Sequence, residues 1–140
     1  MEPLAESIFP EKPVVYATLW QRFWAGFVDG FFVFMAWFII GLSIKNAWVV
    51  SINILIWLLY APLMEASPRQ ATLGKTGLRI KVTDLEGNRI TYGQAFGRHL
   101  GKIISFAILL IGFFMMLWSD KRQALHDRIA GTIVVPDGTA

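Results

Sequence analysis

The stretch FWAGFVDGFFVFMAWFIIGL, Phe23 to Leu42, runs for twenty residues with a single charge, Asp29. A helix needs about 20 mostly apolar residues, within a range of roughly 17–25, to cross a bilayer. Further along, Ala47 to Met64 gives eighteen residues without a charge, and Ile103 to Trp118 gives sixteen. The first two segments are long enough to span; the third is short. Aromatic side chains stand where membrane interfaces belong: Trp20 and Trp24 open the first segment, Trp48 the second, Tyr60 lies near its end, and Trp118 closes the third. Three such stretches in 140 residues are more than the core of one soluble domain would use.

Composition agrees. Hydrophobic residues make up 55% of the chain and charged ones 16%, against roughly 25% charged in ordinary globular domains. Disorder, a coiled coil and a nucleic-acid-binding arm do not fit those values. Without cysteine there is no disulfide framework, thiolate metal site or cysteine nucleophile, and two histidines, His99 and His126, are too few for an imidazole metal cage. The N-terminal arm carries Glu2, Glu6 and Glu11 against Lys12, so it lacks the positive n-region of a cleavable signal.

Between and after the apolar segments the pattern changes. Leu78, Ile80 and Val82 alternate with Arg79, Lys81 and Thr83 as in a strand; Asp84 to Asn88, with Gly87, reads as a turn, and Arg89 to Thr91 as the return strand of a hairpin over 78–91. Thr91 and Gln94 form a capping box, placing a helix start near Tyr92 that continues through the third segment to 118, with a bend expected at Gly112. A short helix carrying Leu125 and Ile129 ends at Gly131, and Thr132-Ile-Val-Val135 is a terminal strand stopped by Pro136. The whole chain, 1–140, is thus one domain: an α-helical integral membrane protein with membrane segments at 22–42 and 47–64, a small cytoplasmic β-hairpin or sheet, the helix and third membrane segment at 92–118, and a capped helix and strand at 120–135.

Charge sets the orientation. The arm has Lys12 and Arg22, the first loop Lys45 alone, residues 65–102 have seven basic residues, and the tail has Lys121, Arg122 and Arg128. Three full crossings put nine basic residues inside and four outside; a re-entrant third segment puts twelve inside and one outside. The second arrangement also sets the terminal strand beside the Leu78–Val82 strand, where it has a partner. Both arrangements stay open, with two to three transmembrane helices.

Asp29 is the first functional candidate. A carboxylate within an apolar helix costs about 2.5–3.5 kcal/mol on insertion scales and normally faces a bundle interior or a polar path. Arg22, seven residues earlier, shares its face, but its side chain leans toward the N-terminus, away from Asp29. Gly26 and Gly30 give a small-xxx-small spacing suited to close helix packing. His126, Asp127 and Arg128 invite a metal or dyad reading, yet adjacent helical residues diverge by about 100° and chelate poorly, so a capped helix with a local ion pair is the simpler reading. Gly74-Lys75-Thr76 looks like the end of a phosphate loop, but the first glycine of that pattern is replaced by Arg69 and a strand follows. Asn53, with Ser51 and Pro62, makes the second span locally polar.

These residues resemble the RDD family of small bacterial membrane proteins, named for an arginine and two aspartates. Arg22-Phe-Trp-Ala-Gly-Phe-Val-Asp29 is similar to its first-helix motif. The Gln70-Ala-Thr-Leu-Gly-Lys75 stretch, the Arg79-Ile-Lys-Val82 strand with Asp84 and Gly87, and Leu125-His-Asp127-Arg-Ile-Ala-Gly-Thr132 are similar to its downstream motifs. The resemblance places the second aspartate at Asp127 and implies a multi-pass protein for which ion or solute transport is the activity most often suggested. The expectation is a bacterial inner-membrane protein, not an enzyme, without metal or other cofactor and without a nucleic-acid partner. It moves an ion, proton or small solute as a homo-oligomer in the lipid bilayer. The sites are Arg22, Asp29 and Asp127, with Asn53, His126 and Arg128 secondary and Gly26 and Gly30 packing helices. The rival expectation is an accessory membrane protein that docks a partner through its basic cytoplasmic face.

Overall fold

The computed structural model describes residues 13–43, 46–108 and 111–138. The arm 1–12, on which the signal-peptide reading rests, and Lys45 of the first loop lie outside them. Among the described residues two helices are long and apolar enough to cross a membrane, and a bent pair, Tyr92–Ala107 with Ile111–Trp118, is so only when taken together. The first, α1 (Leu19–Ser43), has 25 residues, about 37 Å at 1.5 Å per residue. It starts where Thr18 and Gln21 cap each other: the Gln21 amide donates to the Thr18 hydroxyl at 3.2 Å, and the Thr18 amide donates to the Gln21 side chain at 2.9 Å. The second, α2 (Ala47–Ala66), is capped by Asn46 and carries Pro62 in its last turns. Both present most of their side chains outward: Phe27, Phe31, Phe34, Trp37, Ile52 and Leu55 are each about half-exposed or more. Such a surface belongs in lipid or against another membrane helix, not in water.

After α2 come a five-residue helix, α3 (Leu73–Gly77), and strand β1 (Ile80–Asp84), then α4 (Tyr92–Ala107), α5 (Ile111–Phe114) with a 3₁₀ turn over Met115–Trp118, α6 (Leu125–Ala130) and β2 (Thr132–Pro136). The expected hairpin requires correction. The turn forms, with the Asp84 carboxylate accepting from the Glu86 and Asn88 amides at 3.0 and 2.7 Å. Arg89–Thr91, however, is not a strand. Thr91 is committed to the α4 capping box, and β1 pairs antiparallel with β2 instead, Val82 opposite Val134 and Asp84 opposite Thr132. Gln70 occupies the other edge of β1, accepting from the Val82 amide through its carbonyl at 2.8 Å and donating to the Val82 carbonyl through its side chain at 3.0 Å. No edge was left for Arg89–Thr91 to fill.

The bend in the third segment also differs from expectation. It precedes α5, which turns 115° from α4, rather than falling at Gly112. Gly112 is buried, and a side chain there would run into Ser105 and Leu125, so its role is to let α5 fold back onto α4 and α6. Because β1 precedes α4 and β2 follows α6 in one two-stranded sheet, the segment between them returns to the sheet it left. Ile80, Val82, Ile90, Ala95 and Val134 pack with Ala17, Ala25 and Ala66 into the core that joins the sheet to the ends of both spans.

Candidate functional site

The polar residues of the spans meet the sheet layer at two carboxylate-centred clusters. The first is Asp29. Its Oδ1 accepts from the Tyr60 hydroxyl at 3.0 Å and the Gly74 amide at 2.8 Å, and its Oδ2 from the Thr72 hydroxyl at 2.5 Å. Tyr60 in turn accepts from the Leu73 amide at 3.0 Å. Asp29 therefore ties α1 to α2 and to the start of α3. Gly74 is required for this: a β-carbon there would collide with the Ala25 carbonyl and stand 3.0 Å from the Asp29 carboxyl carbon. All three donors are neutral, and among the described residues no lysine or arginine forms an ion pair with Asp29.

The second cluster is a buried ionic network. Asp127 is fully buried. Its Oδ1 accepts from Arg98 Nε at 3.0 Å and Nη2 at 2.6 Å; its Oδ2 accepts from Arg22 Nη2 and, at 3.1 Å, from the Ala124 amide, which caps α6. Arg98 continues through Nη1 to Glu65 Oε2. Glu65 Oε1 takes Lys75 and, at 3.5 Å, Lys102. Arg22 also donates to the Arg122 carbonyl at 3.0 Å and lies 3.4 Å from His126 Nε2. The network thus fastens α1, α2, α3, α4 and α6 at one end of the spans.

Arg22 and Asp29 take different partners: Arg22 pairs with Asp127, and Asp29 with Tyr60, Thr72 and Gly74. The reading of His126 to Arg128 as a local ion pair is corrected. Asp127 does cap its own helix, but its charge is shared by arginines from two other helices, while Arg128 is exposed. His126 packs on Phe113 at 5.1 Å between ring centres and lies against Arg22. Burial pushes its imidazole well below the ordinary histidine range, Asp127 opposing, so it is neutral. Asn53 donates to the Val49 carbonyl of its own helix at 3.0 Å, in a cleft of about 300 Å³ with Trp37, Gly41 and Asn46. Among the described residues nothing lies within 4 Å of a β-carbon at Gly26 or Gly30, and the close approach to α1 is made by Gly74 on Ala25. Among the described residues no three histidine, aspartate or glutamate side chains are grouped to hold a metal.

Tyr60, Glu65, Thr72, Lys75, Arg98 and Lys102 were not among the site residues expected from the sequence: Tyr60 was read as an interface aromatic, and Thr72 and Lys75 only as parts of motifs. One signal was present for three of them. Arg98 and Lys102 lie four apart on one helix face, which places like charges side by side and calls for an acid between them. Glu65 is the first charge after eighteen apolar residues.

The two arginines hold the Asp127 carboxyl well below its ordinary 3.8, against the opposing effect of burial. The stability it contributes is full above that ordinary value and is lost as pH falls through the depressed one. Melting temperature in detergent should therefore drop below about pH 4, and the drop should be smaller in Asp127→Asn, which has already lost the charge.

A family model described as the RDD family matches residues 16–131. The chain is 35% identical to an uncharacterized protein of Bacillus subtilis, YxaI, over 89% of this chain and 98% of that one. It is 46% identical to an uncharacterized protein of Rickettsia prowazekii over 46% of this chain and 35% of that protein. A proline-rich antigen homolog of Mycobacterium tuberculosis is 32% identical over 64% of this chain and 38% of its own length. No solved structure matches.

Proposed function

This chain belongs to the RDD family, and from that premise we propose that it is a multi-pass protein of the bacterial inner membrane that carries protons, in exchange for another small ion, as a homo-oligomer. One observation carries the reading: Asp29 lies within a span and, among the described residues, is held by three neutral donors alone. A carboxylate held this way can take up or release a proton without breaking a salt bridge, which Asp127 cannot. Two spans cannot enclose a path, so the outward apolar faces of α1 and α2 would meet other copies and lipid. The Arg22–Asp127–Arg98–Glu65 network serves as the fixed frame, and we read the protein as a carrier, not an enzyme. Purified protein in liposomes should dissipate an imposed proton gradient faster than empty liposomes do; equal rates would remove the transport reading.

A second reading has its own support. Arg69, Arg79 and Arg89 are exposed beside the sheet, where an accessory protein could dock an acidic partner. Both readings place the sheet layer in the cytoplasm and Ser43 outside. Cysteine probes should be set at Ser43 and Glu86, which are exposed; Thr83, within the strand, is 1% exposed and unsuitable. In intact cells an impermeant reagent should label Ser43→Cys and not Glu86→Cys. The reverse pattern would overturn the orientation.

A further inference from the structure

The ionic network holds more positive charge than its carboxylates can balance. Arg22, Lys75, Arg98 and Lys102 face Glu65 and Asp127. With every group ionised, four cations meet two anions. Water reaches only the edge of the set, at Lys102, because Glu65, Arg98 and Asp127 are each at most 1% exposed.

Lys75 is the member with least to hold its charge. Its side chain is 10% exposed. Its ammonium carries three N–H groups, and among the described residues its one acceptor is Glu65 Oε1, which also receives Lys102 at 3.5 Å. The other Glu65 oxygen is taken by Arg98. Arginine does not give up its proton in proteins, and the Lys102 side chain, at 24% exposure, keeps contact with solvent.

We infer that Lys75 is a proton-exchange site, charged and neutral by turns, one residue from the amide that holds Asp29. Release converts the ammonium to a neutral amine and a proton that leaves toward the solvated Lys102 edge; the amine retains an N–H for Glu65 Oε1, and Lys102 remains to balance it. Arg22, Arg98 and Lys102 then face Glu65 and Asp127, and the excess of positive charge falls from two to one. Burial, reinforced by the neighbouring Lys102 and Arg98, pushes Lys75 down to about 7 against the pull of Glu65. In the exchange cycle proposed above, on which this role rests, α3 carries both contacts: the Gly74 amide holds Asp29 of α1, and the next residue, Lys75, holds Glu65 of α2.

The test reads the site without any flux. Full-length protein in detergent micelles, labelled with ¹³C at the lysine ε-carbons, should show one of six lysine signals titrating near 7. That signal should vanish in Lys75→Arg while the other lysine signals remain. Lys102→Gln, which removes a neighbouring cation, should raise the midpoint by about one unit. The site is overturned if all six signals titrate above about 9, if the low signal survives in Lys75→Arg, or if Lys102→Gln leaves it unmoved. Normal titration of Lys75 with intact flux would reject this site alone; a low midpoint without flux would reject transport alone.

Discussion

Asp127→Ala should destabilise the protein by about 3–5 kcal/mol, the cost of breaking a buried ion pair from one side. The change strips Arg98 of one of its two carboxylate partners and Arg22 of its only acidic partner among the described residues, in a site where Asp127 is 0% and Arg98 1% exposed. It also uncaps α6, whose Ala124 amide loses its acceptor, for about another 1 kcal/mol. Arg128→Ala, one residue on, removes an exposed side chain and should stay within about 0.5 kcal/mol. Thermal unfolding of the two variants in one detergent measures the contrast. Similar midpoints would show that the network does not hold the helices together.

Gly74→Val is the second change expected to have a large effect. The new β-carbon meets the Ala25 carbonyl, a backbone atom of α1 that cannot swing aside. Overpacking of this kind costs about 1–3 kcal/mol. The forced separation also removes the Gly74 amide from Asp29, a bond to a charged group worth about 1.5–3 kcal/mol. By contrast, Gly26→Ala and Gly30→Ala meet nothing among the described residues and should stabilise α1 by about 0.5–1 kcal/mol through helix propensity. Stability of the three variants and their size in detergent can be read together. If Gly26→Ala or Gly30→Ala breaks an oligomer, their spacing packs copies against each other.

The spans, the α4 capping box, the α6 end at Gly131 and the terminal strand were legible because each follows from local pattern: apolar length, a Thr–Gln pair, a glycine after an amphipathic turn, a β-branched run. Gly131 does adopt the left-handed conformation, φ 64°. What local pattern could not supply was competition. Arg89–Thr91 looked like a return strand, but Thr132–Pro136 takes one edge of β1 and Gln70 the other, and neither lies close to Arg89 in sequence. The ionic network was hidden for the same reason. Arg22 and Asp127 are 105 positions apart and Arg98 and Glu65 are 33 apart, so no helical spacing joins them. The family resemblance brought Arg22, Asp29 and Asp127 forward together; the fold shows that the first aspartate and the arginine serve different clusters.

The transport reading stands on Asp29, and exchanging its carboxylate for an amide tests it most directly. Asparagine keeps the size of the side chain and an oxygen to accept from Tyr60, Thr72 or Gly74, but it cannot carry a proton. In proteoliposomes matched for protein content and oligomer size, Asp29→Asn should lose the proton flux of the wild type while its thermal midpoint stays close. An Asp29→Asn protein that carries protons as the wild type does would contradict the account and leave Asp29 as an anchor for α3.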